Sequence, residues 1–133
     1  MKTILLCIFL QVVAFHSGKG QATLTNGDSA VIGVWKGTSL CQVKNSPCHD
    51  EIVVYYISDG DGLDLFDIKA NKVVNGVEEG MGTIPCKLDR KSSRLISTAG
   101  KGTWKFDVKG KAMNGTLTVN GALYRIVKLS KQE

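Results

Sequence analysis

From Val31 onward, the chain consists of short runs in which apolar and polar residues alternate, separated by turn-forming residues. The run Trp104–Lys109 alternates strictly between apolar and charged side chains, which is typical of a strand with one buried face. The run Glu51–Ser58 is apolar on both faces and rich in β-branched and aromatic residues, which indicates a more deeply buried strand. No window longer than about ten residues combines helical periodicity with helix caps. The pattern predicts an all-β protein.

Turn signals divide this region into about eight strands. Asn75-Gly76 and Asn120-Gly121 are the strongest signals, because both residue types tolerate positive φ in a two-residue hairpin. Asp59–Gly62 and Asp89–Lys91 mark two further turns. The predicted strands are Val31–Leu40, Glu51–Ser58, Leu63–Ala70, Met81–Leu88, Ser93–Ser97, Trp104–Val108, Met113–Val119 and Ala122–Ser130. Connections this short pair each strand with the next, so we expect a single antiparallel up-and-down meander.

A meander of about eight strands removes its two exposed edges by closing into a barrel. The alternative is a flat sandwich, which usually needs long crossing connections, and only Leu40–Asp50 is long enough to form one. We therefore expect a closed barrel over residues 31–131. The interior of such a barrel is either just filled by side chains or able to hold one small ligand.

The N-terminal segment has a different pattern. Lys2 precedes the apolar run Ile4–Phe15, and small and polar residues follow. This order predicts a secretory signal peptide over residues 1–22, cleaved after Ala22, with a buried N-terminal element as the alternative. About a dozen apolar residues are too short to cross a hydrocarbon core of roughly 30 Å, so no stable membrane span is expected. Residues 23–30 are predicted to be a flexible spacer, and the protein to be secreted or periplasmic.

Composition adds limits on the class of partner. The chain has 133 residues and a net charge of +5, with 43% hydrophobic and 22% charged residues, which excludes a disordered chain. Removal of residues 1–22 leaves 111 residues with a net charge of +3. The remaining basic residues are scattered among Asp and Glu, whereas a nucleic-acid surface needs a clustered patch. We therefore expect no nucleic-acid partner, and we expect a monomer.

Three cysteines remain after the predicted cleavage: Cys41, Cys48 and Cys86. Export makes disulfide pairing the default. Cys41–Cys48 is the favoured pair, because a short polar segment holds both sulfurs close and Pro47 can turn the chain. Cys86 is then expected to be a buried small hydrophobe, with an intermolecular bridge as the alternative. The cysteine spacing is too wide for a zinc knuckle, so no metal site is expected.

Catalytic candidates are few. His49 is the only histidine of the mature chain and adjoins Cys48, Asp50 and Glu51. Adjacent residues alternate sides on a strand, and a bonded Cys48 is not a nucleophile, so these four do not form an active site. A pair of His49 and Cys86 is the remaining catalytic alternative. We expect instead that Asp50 or His49 caps the loop, and we expect neither enzymatic activity nor a cofactor.

Two positions suggest how the barrel is closed. In the first strand, Gly33, Trp35 and Gly37 share a face, so a large ring lies between two positions that permit a bend or a close backbone approach. In the last strand, Arg125 shares a face with Leu123, Val127 and Leu129, so it is expected to point inward. A tryptophan face and nearby carbonyls would then be its partners. The alternative is that Arg125 faces solvent while its neighbours Tyr124 and Ile126 point inward.

The Gly-x-Trp motif at Gly33–Trp35 and an arginine at Arg125 in the last of about eight strands resemble the lipocalins and the wider calycin group. The resemblance covers Val31–Ser130 in topology. The chain departs from the family pattern in that its predicted barrel of about 100 residues is shorter than a typical lipocalin and no C-terminal helix is predicted. The segment Gly33–Ser58 is also similar to small secreted bacterial proteins with a Gly-x-Trp first strand, a similarity that implies no activity. The chain further resembles small periplasmic inhibitors of bacterial metalloproteases, in which an N-terminal tail enters the enzyme's cleft. Residues Thr23–Ser29 would be that tail, with an unstructured spacer as the alternative.

Two functional hypotheses follow from the sequence. The first is an exported, non-enzymatic barrel that holds a small apolar or amphipathic ligand. Its cavity would be lined or closed by Trp35, Tyr55, Phe66, Trp104, Phe106 and Arg125. The second is a protease-inhibitor-like or protein-interaction module that presents its N-terminal tail or loops to another exported protein. An interior filled by large side chains would argue against the first hypothesis.

Overall fold

The structure, a computed structural model, describes residues 26–133 and contains a closed barrel of eight antiparallel strands. Each strand pairs with the next, and the last pairs with the first. The elements are α1 (Asn26–Val31), β1 (Gly33–Cys41), β2 (Glu51–Asp59), β3 (Leu65–Val74), β4 (Val77–Asp89), β5 (Arg94–Ser97), β6 (Gly102–Lys109), β7 (Ala112–Val119) and β8 (Ala122–Lys131). The predicted all-β, up-and-down closed barrel is confirmed.

Both Asn-Gly pairs form hairpin turns, as predicted. Asn75 and Gly76 have φ angles of 51° and 78°, and Asn120 and Gly121 have φ angles of 50° and 77°. Positive φ at both central positions matches the right-handed twist of the strands that such a turn joins. These turns connect β3 to β4 and β7 to β8, so local turn chemistry determines two of the barrel's connections.

The β3–β4 hairpin is longer than the sequence pattern predicts. The predicted strands stopped at Ala70 and resumed at Met81, whereas β3 continues to Val74 and β4 begins at Val77. Residues 77–83 are all exposed, so alternation of apolar and polar side chains is absent there. A register shift after Ala70 also breaks the pattern. On its other side, β4 pairs with β5 only through its last three residues, Lys87–Asp89.

Large side chains fill most of the barrel interior. Eight of them are no more than 1% exposed, and they are Trp35, Val53, Tyr55, Ile68, Leu95, Phe106, Met113 and Val127. Burial of each large apolar side chain contributes roughly 1.5–3 kcal/mol to the free energy of folding. The core is therefore a packed interior and not a wide cup.

Glycine lets β1 approach β8 closely, as the sequence suggested. A Cβ atom at Gly37 would overlap the backbone carbonyl oxygen of Lys128 on β8. Gly33 has a φ of 136°, a backbone conformation that residues with a Cβ rarely adopt. The two glycines flank Trp35, whose indole is fully buried. The strand backbones approach closely on the Gly37 side of this ring, and the Lys131 side chain lies beside Gly33 on the other side.

Helix α1 lies against the end of the barrel where β1 starts and β8 ends. The Trp35 Nε1 donates a hydrogen bond of 2.8 Å to the Val31 carbonyl. Lys131 Nζ donates to the carbonyls of Ser29 and Ala30, at 3.1 and 2.9 Å, and so satisfies terminal groups of the helix. Helix α1 includes residues 26–30 of the predicted spacer, residues 23–30. The predicted signal peptide, residues 1–22, lies outside the described residues.

Candidate functional site

A pocket of about 210 Å³ opens at the end of β1 opposite to α1, and we call it the mouth pocket. One side is polar and consists of Ser39, Glu51, Tyr55 and Arg125. The rest of the lining comes from Ala70, Trp104 and the β4 segment 81–84. Three larger clefts lie elsewhere in the described part of the chain. Those of about 560 and 460 Å³ lie near the β2–β3 turn and the β4–β5 region, and one of about 280 Å³ lies beside Ala30 and Val31 at the α1 end. The mouth pocket differs from them because a buried tyrosine and a buried ion pair meet in it.

Arg125 projects inward from β8 and joins three parts of the chain. Its Nη1 lies 3.1 Å from Ser39 Oγ, 3.4 Å from the Ser39 carbonyl and 3.3 Å from the His49 carbonyl, and donates to all three. The same atom lies 3.4 Å from Glu51 Oε2, and the two side chains are 15% and 13% exposed. The predicted inward direction and the predicted carbonyl partners are confirmed.

The predicted contact between Arg125 and a tryptophan face is wrong. Lys131 covers Trp35 instead, with its Nζ 5.8 Å from the ring centroid. The register of β1 and β8 explains the difference, because Trp35 lies opposite Lys131 while Arg125 lies opposite Cys41. Six residues of strand separate these two pairs, a distance of roughly 20 Å.

The expectation that Leu123 shares the inner face with Arg125 is also wrong. Leu123 is 41% exposed. Leu117 pairs with Arg125 and Thr118 pairs with Leu123, so Tyr124 has no opposite residue on β7 and lies in a β-bulge. A bulge adds one residue to one strand and breaks the alternation of faces, which the sequence pattern did not show.

The loop between β1 and β2 holds the polar side of the mouth pocket in place. A disulfide joins Cys41 to Cys48, with Cα atoms 5.9 Å apart, as predicted. Asp50 Oδ1 accepts a hydrogen bond of 2.8 Å from the Cys41 backbone N–H, which confirms the predicted loop cap. This closed loop places the His49 carbonyl beside Arg125 and leads directly into Glu51. The His49 side chain is 71% exposed and lies 3.8 Å from Glu51.

Tyr55 provides the most deeply buried polar group of the mouth pocket. The residue is 1% exposed, and its ring packs edge-on against Phe106 at a centroid distance of 6.2 Å. No residue in the range 26–133 hydrogen-bonds the Tyr55 hydroxyl. Burial raises the pKa of this hydroxyl well above its usual value; the Arg125 charge opposes this rise and the Glu51 charge adds to it. The hydroxyl is therefore neutral and available as both donor and acceptor.

The apolar side of the mouth pocket is built around Trp104. Its indole stacks on the Phe106 ring at 5.4 Å with an interplanar angle of 7°. Ala70 is buried, and Ile84 packs against the core cluster beside it. Met81 is 42% exposed at the rim. The pocket thus combines a flat aromatic and aliphatic side with a polar side.

The predicted site residues fall into two groups. Tyr55, Trp104 and Arg125 meet at the mouth pocket. Trp35 and Phe106 are fully buried core residues, and Phe66 is a buried residue beside a separate outer cleft. Sequence reasoning missed Ser39 and Glu51 as parts of the site. A signal was available, since Glu51 is a charged residue at the first position of an otherwise apolar strand.

The other candidate groups for chemistry are the Cys86 thiol and the possible metal ligands. Cys86 is free and buried, as predicted. Burial raises the pKa of its thiol to about 12, and the negative charge of Asp67 adds to this rise. A thiol that stays protonated at neutral pH is a weak nucleophile. Within residues 26–133, no group of three or more His, Cys, Asp or Glu side chains could hold a metal ion.

Comparisons of the chain with protein-family models, with curated proteins and with solved structures find no match. The fold and the site nonetheless define a class of protein, an eight-stranded up-and-down β-barrel with a filled core and a small two-sided pocket at one mouth. In the part of the chain that the structure describes, no helix is both long and apolar enough to cross a membrane.

Proposed function

We propose that this protein is an exported, non-enzymatic binding barrel, lipocalin-like in design, that holds a small amphipathic ligand in its mouth pocket. The observation that carries the proposal is the Tyr55 hydroxyl, which belongs to an almost fully buried residue, lines the pocket and has no hydrogen-bond partner within residues 26–133. A bound molecule would supply the missing hydrogen bond.

The size of the mouth pocket limits the ligand. A volume of about 210 Å³ lies below the range of roughly 300–1,000 Å³ that is typical of sites for drug-sized molecules. The filled core beneath it leaves no continuous channel for a long hydrocarbon tail. The proposal therefore concerns a molecule of about one ring with short substituents.

Two features support the exported location. The apolar run Ile4–Phe15 after Lys2 is typical of a signal peptide. The Cys41–Cys48 disulfide belongs to a class of bond that persists in oxidising compartments.

The second hypothesis, an inhibitor that presents Thr23–Ser29 to a partner enzyme, has less support. Residues 23–25 lie outside the described part of the chain. Asn26–Ser29 belong to α1, and the Ser29 carbonyl accepts a hydrogen bond from Lys131 at the end of the barrel. The last residues of the supposed tail thus contact the barrel of their own chain.

The proposal is tested by filling the pocket. Ala70 is 4% exposed and lines the mouth pocket, so Ala70→Leu places a larger side chain inside it. Ala112→Leu is the matched control, because Ala112 is exposed on β7 and does not line the pocket. The exported protein and both variants are screened against a library of single-ring compounds by ligand-observed NMR. We expect hits for the parent protein and for Ala112→Leu and none for Ala70→Leu; hits retained by Ala70→Leu, or none for the parent, would contradict the proposal.

A further inference from the structure

Three side chains of the mouth pocket carry hydrogen-bonding groups that residues 26–133 do not use. Every hydrogen bond of Arg125 runs through Nη1, which leaves the donors on Nε and Nη2 unpaired. Neither oxygen of Glu51 accepts a hydrogen bond; its nearest cationic atoms are Arg125 Nη1 at 3.4 Å and His49 Nε2 at 3.8 Å. The Tyr55 hydroxyl is the third such group. The pocket thus offers both unused donors and unused acceptors.

The charges beside the pocket cancel. Arg125 and Glu51 carry opposite formal charges, and both side chains are largely buried, at 15% and 13% exposed. A ligand carboxylate that approached Arg125 would come close to the Glu51 carboxylate and be repelled by it. A ligand ammonium group that approached Glu51 would be repelled by Arg125 in the same way. Burial strengthens both repulsions, because water screens them less than at a surface.

We propose that the ligand of the mouth pocket is a neutral molecule with a polar head that both donates and accepts hydrogen bonds, such as a carboxamide or a lactam, on a flat apolar ring. This inference rests on the proposed function and names its ligand class. The carbonyl of the head accepts from Arg125 or Tyr55, and its N–H donates to Glu51. The ring packs against Trp104 and Ala70, which form the apolar side of the pocket.

Three probes with the same ring isolate the charge of the head: benzamide, benzoate and benzylamine. Their dissociation constants are measured at neutral pH by NMR titration of the exported protein. We expect benzamide to bind at least tenfold more tightly than the other two probes. Equal or tighter binding of benzoate or benzylamine would overturn the inference and leave the small-ligand function standing.

Variants test the role of each side chain. Glu51→Gln removes the negative charge and is expected to shift the preference toward benzoate by at least tenfold. Tyr55→Phe removes one hydroxyl and is expected to weaken benzamide several-fold, and Tyr56→Phe is the matched control on the outer face of β2, where its hydroxyl bonds Glu78. If Glu51→Gln leaves the preference unchanged, or if both tyrosine variants behave alike, the inference fails. If no probe binds although the compound library gives hits, the ligand class is wrong and the function stands; if the library also gives none, both fail.

Discussion

Replacement of Arg125 by glutamine tests whether the mouth of the barrel depends on this side chain. Nη1 has only two hydrogens for its acceptors on Ser39 and His49, so these contacts amount to about two effective hydrogen bonds. A hydrogen bond from a charged donor contributes roughly 1.5–3 kcal/mol. Removal of one member of a fully buried ion pair costs about 3–5 kcal/mol. Since Arg125 is 15% exposed, water compensates part of this loss, and we expect Arg125→Gln to lower the free energy of unfolding by about 3 kcal/mol.

Glu51→Gln should have a smaller effect. At 3.4 Å and an effective dielectric constant of about 20, the Coulomb attraction between Arg125 and Glu51 is at most about 5 kcal/mol. Relief of the desolvation of Glu51 offsets most of that attraction. We expect a loss of about 1 kcal/mol, and a coupling energy of about 1–2 kcal/mol between the two substitutions in a double-mutant cycle.

Urea denaturation, monitored by tryptophan fluorescence, measures the free energies of unfolding of the parent protein, the two single variants and the double variant. Urea is preferred to guanidinium chloride because a salt screens the ion pair under study. A coupling energy below about 0.5 kcal/mol would show that the two residues are energetically independent, since that is the error of additivity for distant sites. The proposed balance of the Arg125 and Glu51 charges in the mouth pocket would then be refuted, even if Arg125→Gln alone is destabilising.

Three further perturbations probe the fold. Gly37→Ala should lower the free energy of unfolding by about 3 kcal/mol, because the added Cβ overlaps the Lys128 carbonyl. An unchanged free energy of unfolding in urea denaturation would contradict this close approach. Lys131→Met should speed amide exchange in α1 while leaving the barrel protected, since two hydrogen bonds to α1 are lost whereas on the barrel side only the cation–π contact with Trp35 is lost; unchanged exchange would contradict this. The unfolded Cys86 thiol titrates near 8.5 and the folded one at about 12, so above pH 8.5 its contribution to stability is lost by up to about 1.4 kcal/mol per pH unit. Cys86→Ala should flatten this decline, and an equal decline in the variant would contradict the assignment.

The architecture was predictable because its signals are local. Asn-Gly pairs need no distant contact to form a hairpin, and alternation along β6 reports burial of one face directly. The outer part of the β3–β4 hairpin was not predictable in this way. Residues 77–83 are all exposed, so no alternation marks them as a strand. The turn at Asn75-Gly76 and polar contacts such as the hydrogen bond from Asn71 to Glu78 join this segment to β3.

The site was only partly predictable because it depends on the register of strands that are distant in sequence. Arg125 was recognised as a charge on an apolar face, but its partner could not be read from the sequence. Closure of the barrel pairs β8 with β1 and places Lys131, not Arg125, opposite Trp35. The same closure brings Arg125 to the end of β1 that adjoins the disulfide loop and Glu51. Sequence periodicity gives the face of a residue and not its neighbour on a strand almost a hundred residues away.

The two ends of the barrel are closed by different chemistry, and this contrast supports a binding role for the mouth pocket. At the α1 end, Trp35 and Lys131 have partners, since the indole N–H bonds Val31 and the ammonium bonds two carbonyls. At the other end, Arg125 and Tyr55 keep unused polar groups around an open volume of about 210 Å³. Replacement of a buried ion pair by packed apolar side chains is often neutral or stabilising by about 1–4 kcal/mol. A mouth closed by packed apolar side chains would therefore be no less stable, so stability alone does not account for the unused polar groups, whereas the proposed ligand with its polar head would.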